Sequence, residues 1–242
     1  YFHCHHGHRS NQAAEHYLVR LVPYRAPRGA RTGVVLTFVD VTAVRAEERL
    51  KTLVAELNHR VKNMLAVVIA LARNSARPNQ LVDEYVDDFC TRLKGLASSY
   101  ELLARESWAP VQLRSLVETD LAPHGVERFS VEGEAAEVTA VAVIPLGMAL
   151  HELATNAVKH GALSAPGGHV TVSWRTTAEG LELRWTERGG PEVRADTTAD
   201  GFGIELLRGQ VEYQLGGSLE LGFERVGLEA LLRLPGRWMT DE

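Results

Sequence analysis

His151-Glu152-Leu153-Ala154-Thr155-Asn156-Ala157-Val158-Lys159-His160-Gly161 is the stretch of sequence that decides how this chain folds. The spacing of its apolar residues, and of those before it, predicts a helix over Ile144–Gly161. Glu152 and Asn156 are four residues apart and therefore share one face of that helix. The helix thus combines an apolar body, suited to a core, with a polar face that carries a carboxylate and an amide.

Two other segments carry polar groups that complement this face. Trp185-Thr186-Glu187-Arg188-Gly189-Gly190-Pro191 ends an alternating strand in a carboxylate and two glycines, and Gly201-Phe202-Gly203 opens another predicted helix. A carboxylate can accept hydrogen bonds from a base, and an amide oxygen is a ligand type that Mg²⁺ uses. The N–H groups at a glycine-flanked helix start can bind phosphate. The three segments together predict a pocket for a magnesium nucleotide.

The chain from Trp108 onward predicts a mixed sheet. Its periodicities favour the helices Leu113–Leu121, Ile144–Gly161 and Ile204–Leu215 and the strands Phe129–Val131, His169–Arg175, Leu181–Thr186, Ser218–Phe223 and Leu228–Leu234. Helices and strands alternate loosely and the later strands are linked as hairpins. We therefore expect an α+β fold in which the helices cover one face of the sheet.

A helical hairpin is predicted before this domain. A long helix from Val44 to about Ala76 carries apolar residues every seven positions, at Leu50, Leu57, Met64 and Leu71. Pro78 ends it, and a second helix presents an apolar face from Leu81 to Leu103. Two such helices leave apolar surface open, so we expect a homodimer in which a second hairpin completes a four-helix bundle. Alternatively, residues 1–42 could cover the apolar surface of the hairpin, which would keep the chain monomeric.

Residues 1–42 are expected to be the end of a larger domain. Alternation predicts strands over His16–Tyr24 and Gly33–Val41, joined by a turn at 26–29. One hairpin cannot bury enough surface to be stable alone in water. The chain is therefore divided into 1–42, a helical hairpin domain at 43–106 and an α/β domain at 107–242.

Composition narrows the class of protein. The 242 residues suffice for one large domain or two small ones, and 45% of them are hydrophobic. A net charge of −5 without a long basic run argues against nucleic acid as a partner. Cys4 and Cys90 fit reduced thiols in a cytoplasmic protein. No apolar run is expected to reach the roughly 20 residues that span a bilayer, so no membrane segment is predicted in this chain.

His59 is the candidate nucleophile of the helical hairpin. At about 100° per residue it lies roughly 200° around the helix from Leu57, on the side opposite the apolar stripe. An exposed histidine is commonly just surface. The predicted nucleotide pocket and Asn63, one turn away and able to hold one ring nitrogen, favour a catalytic role instead. A neutral imidazole is a competent nucleophile near its ordinary pKa of about 6.5.

These motifs resemble a known family when they are taken together. Four motifs follow one another along the chain: Asn58-His59-Arg60-Val61-Lys62-Asn63, the 151–164 segment, Trp185-x-Glu187 and Gly-Phe-Gly. Over about 45–236 the chain closely resembles the HWE group of bacterial sensor histidine kinases. His151, Trp185 and Glu187 spell the name of the group. A second resemblance concerns the N-terminal residues. The last two strands of a PAS sensor domain are similar to the segments at residues 23–25 and 33–35 and to Asp40-Val41-Thr42.

The resemblance implies a fold, an activity and partners. It implies a Bergerat-type (GHKL) α/β sandwich in the second half, preceded by a phosphoacceptor hairpin. It implies autophosphorylation of His59 by ATP with Mg²⁺, and transfer of the phosphoryl group to an aspartate on a response-regulator receiver domain. The base that takes the imidazole proton is left open, because Arg60 follows the histidine where other groups carry an acidic residue. Glu56 is a candidate.

The resemblance also assigns roles to residues of the pocket. Asn156 would place its side-chain oxygen on Mg²⁺, and Glu152 would hold a metal-bound water or assist the proton. Glu187 would take the place of the usual aspartate that accepts a hydrogen bond from the adenine amino group. Further residues near the nucleotide would be Lys159 and His160, at the phosphates, and Gly189, Gly190, Gly201 and Gly203, where the backbone approaches it.

Two other functional classes stay open at this point. Glu152 and Asn156 alone could form an exposed polar helix face, and His151 and Trp185 could be packing residues. The chain could then be a catalytically silent dimer scaffold that sequesters a response regulator. It could also be a GHKL ATPase or serine kinase that forms no phosphohistidine.

Overall fold

The computed structural model describes residues 2–4, 16–25, 32–74, 81–192 and 202–240. Within these ranges the strands are β1 (Phe2–Cys4), β2 (Tyr17–Arg25), β3 (Thr32–Asp40), β4 (Val111–Gln112), β5 (Phe129–Gly133), β6 (Glu137–Val138), β7 (His169–Thr177), β8 (Gly180–Arg188), β9 (Ser218–Glu224) and β10 (Gly227–Pro235). The α-helices are α1 (Thr42–Asn74), α2 (Val82–Arg105), α3 (Leu113–Leu121), α4 (Ala140–Lys159) and α5 (Phe202–Arg208).

The chain divides into two compact units, Tyr1–Val67 and Val68–Glu242. The boundary between them lies inside α1. The predicted three-part division of the chain stays a prediction.

The N-terminal unit contains a small antiparallel sheet in the order β1-β2-β3. Its β2–β3 hairpin confirms both predicted strands to within one residue, whereas the pairing of β1 with β2 was not predicted. Neighbouring apolar residues of β3, such as Leu36, Phe38 and Val39, are exposed. Since neighbours on a strand point to opposite faces, β3 exposes apolar residues on both of its faces, whereas Val19 on β2 is buried.

The segment that follows β3 starts the long helix. The N–H of Thr42 donates to Oδ1 of Asp40 at 2.9 Å, which satisfies one of the free donors at the start of α1. Apolar residues at heptad-like spacing along α1, among them Leu50, Val54 and Val61, are exposed. The N-terminal part of the predicted apolar stripe is therefore exposed, whereas Leu71 near the end of α1 is buried.

The C-terminal unit is built on a five-stranded sheet in the order β5-β7-β8-β10-β9. Only the β5–β7 pair is parallel among these strands. Alternate residues, such as Val172 and Leu183, are fully buried against α3 and α4. On the opposite face, Glu182 of β8 is paired with Arg175 and Arg233 on the two neighbouring strands. The prediction of a mixed sheet with helices on one face is confirmed.

The central helix α4 begins four residues before its predicted start at Ile144. Pro145 favours a helix start near position 144, because proline fits the first turn of a helix. The preceding turn is nevertheless helical, since Ala142 and Val143 are fully buried in the core. α4 is also long and apolar enough to cross a membrane by length and composition, contrary to expectation, but it is mostly buried inside the unit. α4 is therefore a core helix of this unit.

The last predicted helix is shorter and less regular than expected. α5 ends at Arg208, and the chain continues as a π-helix over Gly209–Gln214 instead of as one α-helix to Leu215. Leu207, Val211 and Leu215 are nevertheless buried in the same core. The apolar periodicity thus predicted the buried face correctly and missed the change in hydrogen-bonding pattern.

Candidate functional site

A cavity of about 230 Å³ opens where the C-terminal end of α4 meets β8 and β10. Its lining combines polar and apolar residues: Asn156, His160, Gly161, Ala162, Glu187, Gly190, Pro191, Glu192, Phe223, Gly227 and Leu228. The predicted site residues Asn156, His160, Glu187 and Gly190 thus come together at one opening. They lie 34 residues apart at most in sequence, on two elements and the loops that follow them.

Glu187 places a buried carboxylate at this cavity. Trp185 and Glu187 are two residues apart on β8, so both point to the inward face of the sheet. The Trp185 ring N–H donates to Oε1 at 3.1 Å, and the N–H of Ala162 donates to Oε2 at 2.8 Å. Burial raises the pKa of Glu187 above its usual 4.5, and the two hydrogen bonds partly oppose that shift. Two donors therefore fix the position of this side chain.

Gly161 leaves the space that the Glu187 carboxylate occupies. A Cβ atom at position 161 would lie 1.9 Å from Oε2 of Glu187 and 2.9 Å from Cα of Ala157. At the end of β8, Gly189 has a φ of +75°, a conformation that side chains disfavour. A Cβ at Gly190 would lie 2.7 Å from Cα of Ala162. Glycine is required at these positions by close backbone packing around the cavity.

Glu152 and Asn156 lie one turn apart on α4, as predicted. The Cβ position of Gly203, at the start of α5, is 3.1 Å from Oε2 of Glu152 and 3.5 Å from Oδ1 of Asn156. Oε1 of Glu152 accepts a hydrogen bond from Nε of Arg92 on α2 at 2.8 Å. Both side chains of this ion pair are only 6% exposed. The predicted polar face is therefore largely buried.

Lys159 and His160 end α4 next to the cavity. The Lys159 ammonium is 3.0 Å from Oδ1 of Asp88 on α2, and its side chain is 44% exposed. His160 is an exposed residue that lines the cavity. Gly201 lies outside the described residues.

His59 and Asn63 belong to the other compact unit. Both lie in α1, where Asn63 is exposed, and the side chain of His59 is outside the described part of the structure. Their relation to the cavity therefore stays a prediction.

His151 lies outside the cavity and links three helices. Its Nδ1 is 2.8 Å from Oδ1 of Asp120 on α3, and its Nε2 is 2.9 Å from the carbonyl oxygen of Thr91 on α2. The carboxylate and the carbonyl are both acceptors, so the two contacts suit a protonated ring, in which both nitrogens donate. Burial disfavours that cation, but the bonds to Asp120 and Thr91 and the nearby Glu152 outweigh burial and raise the pKa of His151 above 6.5.

Three groups that hold the site residues were not predicted from the sequence: Arg92, Asp120 and the ring N–H of Trp185. Of these, the hydrogen bond between Trp185 and Glu187 was the easiest to predict from the sequence, because two residues that are two apart on a strand lie on the same face. Arg92 and Asp120 lie 60 and 31 residues from their partners. Only the packing of α2 and α3 against α4 brings them close.

Comparison with known proteins identifies two domains in this chain. Residues 56–135 match the model for the HWE histidine kinase family, and residues 120–213 match that for the histidine kinase-like ATPase domain. Blue-light-activated histidine kinase 1 of Erythrobacter litoralis (strain HTCC2594) is 35% identical over 207 residues, 81% of this chain and 57% of that protein. Blue-light-activated histidine kinase of Rhizobium johnstonii is 32% identical over 208 residues, 84% of this chain and 59% of that protein. The chain thus spans less than two thirds of either relative.

A solved structure shares the fold. The blue-light activated histidine kinase of Erythrobacter litoralis EL346 has a TM-score of 0.58 at 18% identity, covering 97% of this chain and 76% of that one. The family models confirm the resemblance to the HWE group. The chain contains an HWE histidine kinase domain, matched over residues 56–135, and a histidine kinase-like ATPase domain, matched over residues 120–213.

Proposed function

We propose that this chain is the transmitter part of a sensor histidine kinase. ATP would phosphorylate His59, and the phosphoryl group would then pass to an aspartate on a response-regulator receiver domain. The observation that carries the proposal is the shared opening of the Glu187 carboxylate and the Asn156 amide, which suits the two ends of a magnesium nucleotide. ATP as the phosphoryl donor and an exposed free thiol at Cys90 favour a cytoplasmic location.

The residues at the cavity fit the nucleotide chemically. A carboxylate has about four acceptor sites, and Trp185 and Ala162 use two of those on Glu187, which leaves capacity for an adenine amino group. Phe223 and Leu228 supply apolar walls suited to a base. The amide oxygen of Asn156 is a hard ligand of the kind Mg²⁺ takes. When bound, Mg²⁺ neutralises charge that develops on the phosphates.

In the proposed reaction, a ring nitrogen of His59 attacks the γ-phosphorus. A P–N bond forms, the bond between the γ-phosphorus and the bridging oxygen breaks, and ADP leaves. Asn63 would hold the other ring nitrogen, and the proton would leave to a base for which Glu56 is a candidate. Lys159 and His160 would lie near the phosphates, and the Lys159 ammonium would neutralise part of the phosphate charge. The Lys159 side chain is 44% exposed, so it can turn from Asp88 toward a bound phosphate.

The remaining parts of the proposal concern assembly. The exposed apolar residues of α1 support a homodimer through the helical hairpin, since an open stripe of this kind is typical of bundle-forming helices. The open faces of β3 and the Asp40–Thr42 contact support residues 1–42 as the end of a PAS domain.

Labelling with γ-³²P-ATP tests the phosphoacceptor. We expect acid-labile label on the native chain and none on His59→Gln, while His124→Gln keeps the label. His59→Gln should bind ADP as the native chain does, because the cavity is intact. Acid-stable label would instead favour a serine product. Phosphate release without labelled protein would favour an ATPase, and no reaction in either chain would favour the scaffold.

Replacement of Glu187 by glutamine tests adenine recognition. Both present partners of Glu187 are N–H donors, so an amide would direct its NH₂ group at one of them and leave a buried donor unpaired. We expect ATP affinity to fall roughly tenfold, given the typical cost of such a loss, with less preference for ATP over GTP. Glu192→Gln is the matched control, because Glu192 also lines the cavity but is 76% exposed. Unchanged nucleotide preference in Glu187→Gln contradicts the assignment.

A further inference from the structure

The buried ion pair of Arg92 and Glu152 needs an explanation beyond stability. Apolar residues of similar size would often stabilise the interface between α2 and α4 as well as a buried ion pair does. The rest of this interface is already closely packed. A Cβ at Gly95 would lie 2.5 Å from the His151 ring, and one at Gly147 would lie 2.3 Å from Oγ of Ser99. The Arg92–Glu152 ion pair therefore lies in a closely packed interface between α2 and α4.

The two carboxylate oxygens of Glu152 face different surroundings. Oε1 is held by Nε of Arg92 at 2.8 Å. Oε2 lies 3.1 Å from the Cβ position of Gly203, a point that is also 3.3 Å from Nδ2 of Asn156. Arg92 therefore fixes one oxygen of Glu152, and the other faces the corner between Asn156 and the start of α5.

We propose that Arg92 is a positioning residue of the nucleotide site, acting through Glu152. It holds Oε1 of Glu152 and so directs Oε2 toward the Asn156 corner, where that oxygen could accept a hydrogen bond from a water on Mg²⁺ held by Asn156. The inference rests on the proposed function and deepens it. Its consequence is that a helix of the phosphoacceptor hairpin supplies part of the magnesium site.

The charge of Arg92 supports the same role. An unpaired carboxylate next to a triphosphate would repel it, whereas the Arg92–Glu152 pair is neutral overall. Arginine also stays charged under all ordinary conditions and has a fixed donor geometry. Side chains that orient metal ligands from behind are typically worth 10–100-fold in metal affinity, in order of magnitude.

The experiment measures how strongly Mg²⁺ tightens ADP binding, by calorimetric titration with and without Mg²⁺. ADP cannot transfer a γ-phosphoryl group, so the readout is independent of kinase activity. We expect Arg92→Met to lose roughly tenfold of the Mg²⁺-dependent tightening, taken as the ratio of the ADP affinities with and without Mg²⁺. The affinity without Mg²⁺ should also fall, because the unpaired Glu152 carboxylate repels the phosphates, and the ratio separates the two effects. Arg92→Lys, which keeps the charge, should recover part of the loss. Lys94→Met, an exposed cation on the same helix, is the control and should behave as the native chain.

A double variant keeps the proposal testable if Arg92→Met folds poorly. Arg92→Met with Glu152→Gln removes both charges and leaves no unpaired ion. If Arg92 acts through Glu152, the double variant should show no more loss than Glu152→Gln alone. Losses that multiply, or full Mg²⁺-dependent tightening in Arg92→Met, overturn the role of Arg92. A native chain that binds no ADP overturns the proposed function itself.

Discussion

Gly161→Ala should reduce ATP affinity by at least about tenfold while the protein still folds. The new Cβ would lie 1.9 Å from Oε2 of Glu187, so the carboxylate must move. Movement breaks its bond with the N–H of Ala162 and misplaces the acceptor proposed for adenine. The same Cβ would lie 2.9 Å from the backbone Cα of Ala157, so it has little room in which to shift. One methyl group thus disturbs the proposed nucleotide site through the buried carboxylate of Glu187.

Gly167→Ala is the matched control for this substitution. No atom lies within 4 Å of a Cβ at Gly167, although the residue is in the same loop region between α4 and β7. Titration calorimetry with ATP on both variants and the native chain makes the comparison, and circular dichroism confirms that each is folded. Equal ATP affinity in Gly161→Ala and Gly167→Ala would show that Glu187 does not hold the base.

The sequence predicted the elements of the fold well because their periodicities are local. The bounds of α3 and the strand pairs β7–β8 and β9–β10 follow from apolar spacing and short connections. The β4–β6 pairing could not be predicted in this way, because it joins two-residue strands about 25 residues apart. The early start of α4 was likewise decided by burial of Ala142 and Val143, a tertiary effect that overrides the local preference of Pro145.

The same distinction between local sequence patterns and tertiary packing applies to the candidate site. Asn156 and His160 share a helix end, and Glu187 and Gly190 share a strand end, so sequence motifs sufficed to group them. The partners that fix these groups come from other elements. Arg92 reaches Glu152 from α2, and Ala162 reaches Glu187 from a short 3₁₀ helix through its backbone N–H, for which residue type carries no signal. Motifs therefore predicted which groups meet at the cavity, and only the packed structure shows what holds them.

His151→Gln should lower the free energy of unfolding by about 3 kcal/mol at pH 6, because it leaves the buried Asp120 carboxylate without its cationic partner. The loss should shrink as the pH rises. The folded-state pKa of His151 lies above its ordinary 6.5, so the stabilisation is complete below the unfolded pKa and disappears as pH rises through the folded one. Urea unfolding of both proteins at several pH values between 6 and 9 measures this difference.

The difference between the two proteins isolates His151 from other titrating groups. The raised pKa of Glu187 also makes the folded state less stable as pH rises above 4.5, but it does so in both proteins and cancels. His169→Gln is the control, because that ring contacts the Ser130 hydroxyl, which can donate or accept, and needs no charge. A His151→Gln deficit that stays constant or grows with pH would contradict a charged ring. A shrinking deficit would mean that the histidine of the HWE signature acts as a cationic link between α2, α3 and α4, outside the nucleotide cavity.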